Sequence, residues 1–447
     1  MANLVGHRQA PIGARHALRA EPSRSAGVLR RLSWGLVDQA VTSLVSFVVG
    51  IFVARSLGAV EFGAFSLAWV TYGVCLNISR GLATDPLAVR YSGVRRSAWR
   101  AAASRSSGMS VAVGLIAGAC CVVAGLALGG HVGAAFVALG IVLPGLLLQD
   151  SWRFAFFASG QGGKALISDL TWGVALVPLL VLASQHRSVT WFVLAWGAAG
   201  AFAALVSGLQ AWILPRLSRA GSWLSEHRDL GPRYLVENIS ISGAYQLRMY
   251  ALGAIAGVAA VGTVRGAELL LGPFFIVLSG VGLVAVPEAA RVLRRSVRAL
   301  PVFCLLLGGA QAVAALVWGL MLMIGLPDAW GHELLGAVWA PASALLLPAT
   351  LSVANASFST GAAAGLRALG VARRSLRAQL IASAAYLIGG VSGAAVGGAL
   401  GSAWGAACAT FIGAIVWWWF LRAGVRERMQ PADGQVDEPD VTEMRST

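Results

Sequence analysis

The chain has 447 residues, 57% hydrophobic and 12% charged, with a net charge of +15. A soluble domain is nearer one quarter charged, so a water-facing surface over this length is excluded and most of the chain must lie in lipid. The excess of arginine does not point to nucleic acid, because it is spread over short segments between apolar runs and no basic globular segment exists to hold a duplex.

Lipid offers the backbone no hydrogen-bond partner, so the spans are helices or a closed barrel. Apolar runs of about 20 residues without strict alternation choose helices. Residues 1–31 hold six arginines and no apolar core, which makes them a basic tail rather than a cleavable leader. Six runs follow, near 33–54, 62–83, 108–128, 132–152, 165–184 and 190–213. A polar stretch, 214–236, divides the chain. Six more runs lie near 238–258, 264–286, 300–325, 334–356, 376–397 and 400–421. The remainder is polar and acid-rich and reads as a disordered tail. The expected organisation is a basic cytoplasmic tail (1–31), a six-helix lobe (32–215), a cytoplasmic linker (216–236), a second six-helix lobe (237–422) and an acidic cytoplasmic tail (423–447).

Charge checks the count. With the N-terminal tail placed inside, 29 of the 34 basic residues fall in inside segments. Only Arg55, Arg187 and Arg265 fall outside, and Arg80 and Arg248 lie within runs. One helix missed or invented midway would destroy that asymmetry. The expectation is therefore twelve spans in the cell (inner) membrane with both termini cytoplasmic.

The second and eighth runs end alike. Pro86–Leu–Ala–Val–Arg90 and Pro287–Glu–Ala–Ala–Arg291 are both Pro-x-Ala-x-Arg, 201 positions apart. Two six-span halves that enter and leave on one side are parallel repeats, and such repeats place a substrate path at the midplane between halves. The fold class expected is an all-helical membrane protein with about twelve spans in two such lobes around a central cavity.

The stretch "ARSLGAVEFGAFSLA" (54–68) resembles the first hairpin of Wzx-type polysaccharide-export proteins, with its Arg-x-Leu-Gly and Phe-Gly-x-Phe pattern. "QDSWRFAFFASGQGGKALISD" (149–169) resembles the link between their fourth and fifth helices. Those proteins belong to the multidrug/oligosaccharidyl-lipid/polysaccharide (MOP) exporter superfamily, and the resemblance covers about residues 32–422. It implies two six-helix lobes of the MATE-like type and flipping of a lipid-linked oligosaccharide between leaflets. It also implies cationic cavity residues for an anionic head group, and glycan polymerases or glycosyltransferases as partners beside the membrane lipids.

Charges inside the runs are the candidate site. Arg248 stands midway along the seventh run, where an arginine costs about 2.5–3.5 kcal/mol and faces either a wet cavity or a buried acid. Asn238, Ser242, Tyr245 and Arg248 share one helix face and are read together as a cavity wall. Arg80, near the inner end of the second run, either touches an entering phosphate or snorkels. Asp38, with Thr42 and Ser46 at steps of four, and Asp169 are shallow acids that either bind a coupling ion or face the inner interface. Arg55 with Glu61, and Arg265 with Glu268, are read as outer-gate or outer-end pairs. Asp150 and Arg153, three apart, are expected to form a local helix pair.

The five cysteines are read as small buried hydrophobes. No His/Cys/acid cluster suggests a metal, no phosphate-binding loop appears, and no catalytic set or cofactor is expected. Three rival readings remain: an ion-coupled antiporter of small molecules, a membrane glycan polymerase or acyltransferase, and a non-transporting scaffold. The outer segments are short for an enzyme, and a cation pump would prefer an acidic cavity.

Overall fold

The computed structural model describes residues 21–429, which form helices and no strand. In chain order they are α1 (Glu21–Ser56), α2 (Ala59–Ser79), α3 (Asp85–Tyr91), α4 (Arg96–Leu128), α5 (Gly130–Ala158), α6 (Gly162–His186), α7 (Val189–Ala211) and α8 (Ala220–Glu226). Then come α9 (Gly231–Ala256), α10 (Val258–Leu270), α11 (Gly272–Arg295), α12 (Ala299–Gly325), α13 (Asp328–Leu335), α14 (Trp339–Ser343), α15 (Leu346–Ala368) and α16 (Ala372–Met429). Among the described residues eight helices are long and apolar enough to cross a bilayer, and nine when α13–α15 count as one bent span. Twelve runs were expected; α16 carries two of them, folding back at Gly397–Gly398, while α9 and the α10–α11 pair fall short of that measure. The chain is a multi-span membrane protein.

Several expectations need correction. Helix α1 begins at Glu21, so the end of the basic tail is helical, and α16 runs on to Met429. Residues 1–20 and 430–447 lie outside the described residues. The tenth run is not one helix: the α13–α14 segment meets α15 at 86°. The eighth run starts earlier than expected, at Val258, and breaks at Leu271. Cys120 and Cys408 are exposed rather than buried, on a surface a bilayer would cover.

Glycine decides how closely the helices pack. In lipid there is no hydrophobic drive between helices, so small residues that let backbones touch become the interface. Gly118 meets Gly140 and Gly125 meets Gly133 between α4 and α5, backbone against backbone. Gly389 meets Gly405 and Gly393 meets Gly401 between the two arms of α16. Helices α2 and α4–α7 thus form one lobe; α11, α12, α15 and α16 form the other. One buried core, around Trp152, Phe156 and Trp196, runs from the first lobe into α9 and α10; another, around Leu300, Leu366 and Leu421, lies in the second.

The lobes meet along α2, α9 and α10. At the end bearing residues 57–58 and 257, a Cβ on Gly63 would lie 1.9 Å from the Val258 carbonyl oxygen, and one on Gly262 2.5 Å from that of Ala59. Gly63 thus answers to packing, whereas Gly58 has open space around it and an ordinary φ of −73°. Near the other end, where the arginine-bearing loops lie, the five residues that follow α2 form a π-helical turn, Arg80–Thr84. There the Gly81 backbone rests on Tyr234 and Leu235. The stretch 216–236 is clamped onto the first lobe. Trp223 is fully buried and its Nε1 donates to the Leu82 carbonyl at 3.1 Å; Arg105 pairs with Glu226 and Arg90 with Asp229.

Candidate functional site: a cavity between the lobes

A cavity of about 550 Å³ lies between the lobes, with α1 on one wall and α15 and α16 on the other. A second, of about 300 Å³, penetrates the first lobe. Thr42, Ser46, Trp69, Tyr245 and Arg265 line both, so the two join. The glycine contacts of α2 with α10, and Gly336 against the Arg55 backbone (2.9 Å from a built Cβ to the Arg55 oxygen), close the end away from the arginine loops.

Arg248 lines the larger cavity and is only 3% exposed. Its Nε donates to Ser402 Oγ at 3.2 Å and Nη1 donates to the Tyr386 hydroxyl. The Tyr386 ring stands 5.1 Å from the guanidinium carbon. Both partners are neutral, and among the described residues no carboxylate forms an ion pair with Arg248. Glu268, in the same cavity, acts on Arg248 at longer range without a direct ion pair. Room for the side chain comes from Gly390, where a Cβ would lie 2.6 Å from Arg248 Cδ.

The rest of the expected stripe divides. Tyr245 reaches the cavity, donating to Glu268 Oε2 at 2.7 Å, and Arg265 Nη1 stands 3.3 Å from the same oxygen. Arg265 and Glu268 are thus not an outer-end pair: because α10 starts at Val258, both sit two turns or more into the helix and face the cavity. Asn238 and Ser242 do not line either cavity. Asn238 donates to Asp85 Oδ2 at 2.9 Å and Ser242 accepts from Asn77 Nδ2 at 2.6 Å, so they belong to the seam with α2 and α3. A stripe at steps of four and three drifts around a 3.6-residue helix, and its lower half turns to a neighbour.

In the first lobe the acids and arginines are re-paired relative to expectation. Asp150 does not pair with Arg153; it takes Arg80 in a two-point bond, at 3.0 Å from Nε and 2.7 Å from Nη2. Arg80 also lies over Phe154, 4.9 Å from the ring centroid, and lines the smaller cavity instead of snorkelling. Arg153 bridges Asp38 (Nε to Oδ2, 2.7 Å) and Asp169 (Nε to Oδ2, 3.1 Å). Thr42 and Gln149 add donors to Asp169 at 2.6 and 2.8 Å. Neither acid is shallow in the sense of reaching water: Asp38 is 0% exposed and Asp169 4%. Asp38 Oδ1 is buried with no partner. In this cluster three carboxylates face two guanidiniums. Glu61, on the far end, accepts from His131 Nδ1 at 3.0 Å rather than pairing with Arg55. No group able to hold a metal occurs among the described residues.

The residues that sequence reasoning missed are Tyr386, Ser402, Gly390, Gln149 and Arg153's bridging role. Gly390 and Ser402 sit in a run of glycines and alanines that carries no periodic signal. Gln149 could have been found as a polar residue beside Asp150 in an apolar run.

The fold, helical lobes about a central cavity, is similar to that of solved transporters described as members of the MOP superfamily. One solved structure it resembles is an inward-facing multidrug resistance MATE family transporter, at 15% identity and a TM-score of 0.64, covering 86% of this chain and 95% of that one. Another is the lipid II flippase MurJ in an inward closed conformation, at 12% identity and a TM-score of 0.64, covering 87% of each chain. A third is a MOP superfamily transporter from Pyrococcus furiosus described by the reverse polarity of its binding pocket, at 14% identity and a TM-score of 0.53, covering 90% of this chain and 96% of that one. An outward-facing MATE transporter gives only 0.53. No family model matches the chain, and no curated protein sequence matches it.

Proposed function

We propose that the chain is a transporter that flips a lipid-linked oligosaccharide, or a related anionic glycolipid, from the leaflet at its arginine-rich end to the opposite one. The observation that carries this reading is Arg248, a buried guanidinium on the cavity wall held by neutral groups alone. Arginine suits a phosphate because its planar fork holds two oxygens and stays charged when partly desolvated. Arg265 is neutralised by Glu268, so the larger cavity keeps one net positive charge. The lobes, 32–215 and 237–422, rock about the α2–α9–α10 seam, with 216–236 as the joint. The arginine-rich end is cytoplasmic by the charge asymmetry, and the membrane is the inner one.

The buried carboxylates of Asp38 and Asp169, with Asp38 Oδ1 unpartnered, support ion coupling there. They also favour a second reading, an ion-coupled MATE-type antiporter of small molecules. Partner glycan polymerases or glycosyltransferases belong to the first reading only.

Reconstituted vesicles carrying a fluorescent prenyl-diphosphate sugar separate them. Arg248→Lys should keep part of the flipping rate, Arg248→Ala should lose most and Arg248→Glu all, with the thermal midpoint retained. A folded, fully active Arg248→Ala would overturn the reading.

A further inference from the structure

A third cavity, of about 340 Å³, lies inside the second lobe between α11, α15 and α16. It shares Ala356 and Thr410 with the cavity that holds Arg248, so the two are continuous. Among the described residues its lining carries one charge, Arg367, in the last turn of α15, and no carboxylate. Arg367 is exposed, and its side chain makes no hydrogen bond or ion pair among the described residues.

The polar groups between the two arginines are in register. On α15, Arg367, Thr360, Ala356 and Ser352 are spaced seven, four and four apart and fall on one face. On α16, Gln379 and Tyr386 are two turns apart, and Gln379 Nε2 donates to Ser383 Oγ, at 3.1 Å, between them. Thr360 is held from behind by Gln311 Oε1 at 3.1 Å. The route from Arg367 to Ala356 spans about 16 Å along the helix. It leads from the arginine-rich end to the wall where Tyr386 holds Arg248. All the carboxylates of the joined cavities lie elsewhere, on α5, α6 and α10. An anion entering along α15 and α16 therefore meets Arg367 at one end, Arg248 at the other, and no carboxylate from the described residues lining the third cavity between them.

We propose that this cavity is the loading site for the diphosphate of the lipid carrier, with Arg367 making the first contact and Arg248 the second. It rests on the flippase reading above and adds the place where the substrate enters. Arg367 thus governs capture, and Arg248 governs the crossing.

The test uses the purified full chain titrated with farnesyl diphosphate, farnesol and inorganic pyrophosphate, alongside the vesicle assay. Farnesyl diphosphate should bind, farnesol should not, and pyrophosphate should bind more weakly. Loss of a charge-assisted contact should weaken farnesyl diphosphate binding about tenfold in Arg367→Ala. Arg367→Lys should recover part of it. In vesicles Arg367→Ala should raise the substrate concentration needed for half-maximal flipping and leave the maximal rate intact, whereas Arg248→Ala should lower the maximal rate. Arg373, exposed on the first turn of α16 and outside the cavity, is the control: Arg373→Ala should change neither. Equal weakening by Arg373→Ala would reduce the effect to surface charge and overturn the proposal. Unchanged affinity in Arg367→Ala, with flipping lost in Arg248→Ala, would overturn the loading site and leave the flippase standing. Unchanged flipping in both variants would overturn the flippase reading itself.

Discussion

Removing Arg153 is the sharpest perturbation this structure offers. Its side chain is 12% exposed, and those of its partners Asp38 and Asp169 are 1% and 4% exposed. Arg153→Ala leaves two carboxylates in a buried pocket with no cation between them, and truncating one partner of a buried pair typically costs about 3–5 kcal/mol. That is an apparent thermal midpoint lower by about 5 °C. Asp38→Asn should cost less, because Arg153 keeps Asp169 and Asp38 Oδ1 already lacks a partner. The combination Arg153→Met with Asp38→Asn and Asp169→Asn removes every member of the triad, so most of the lost stability should return. The assay is thermal unfolding in detergent, with retention of the monodisperse peak as a second readout. An Arg153→Ala protein as stable as the parent, or a triple variant no better than Arg153→Ala, would refute the bridge.

Asp38→Asn and Asp169→Asn should each change the pH or sodium dependence of transport while Arg248 variants do not; unchanged dependence in both removes them as coupling sites. Gly390→Ala should displace the Arg248 stem, since a Cβ there lies 2.6 Å from Cδ, and flipping should fall with little loss of thermal stability. Gly63→Val should force apart the α2–α10 contact, where 1.9 Å separates a Cβ from the Val258 oxygen, and shift cysteine cross-linking across that seam downward. Trp223→Ala should cost about 3–5 kcal/mol, as for other buried large-to-small changes, detected as a lower midpoint and faster proteolysis of 216–236. Reporter fusions after 58, 129, 187, 257, 327 and 397 should report one side and fusions after 93, 160, 297 and 370 the other; one inverted pair breaks the hairpin order.

Composition alone dictated a membrane-spanning helical chain, because apolar runs of this length can satisfy their backbones in lipid only as helices. Arg248 was legible as a midplane charge because so costly a residue stands out against an apolar background. Pairing was not legible. Asp150 lies three residues from Arg153 in sequence yet binds Arg80, seventy positions away, and Asp38 finds Arg153 across 115 positions. Helical spacing says which residues share a face of one helix; it does not say which other helix that face meets. The same limit hid the split of the α9 stripe, whose Arg248 faces the cavity while Asn238 faces Asp85. It also hid the early start of α10 at Val258, which sets Arg265 and Glu268 at the cavity rather than at the outer end. Gly390 and Ser402 looked like packing residues among many. Only the crossing of α9 with the two arms of α16 turned one into space for an arginine and the other into its hydrogen-bond partner. Local periodicity determined where helices form, because it depends on neighbours in the chain. The charge of each cavity was decided by contacts between distant helices, which follow from how small residues let those helices approach.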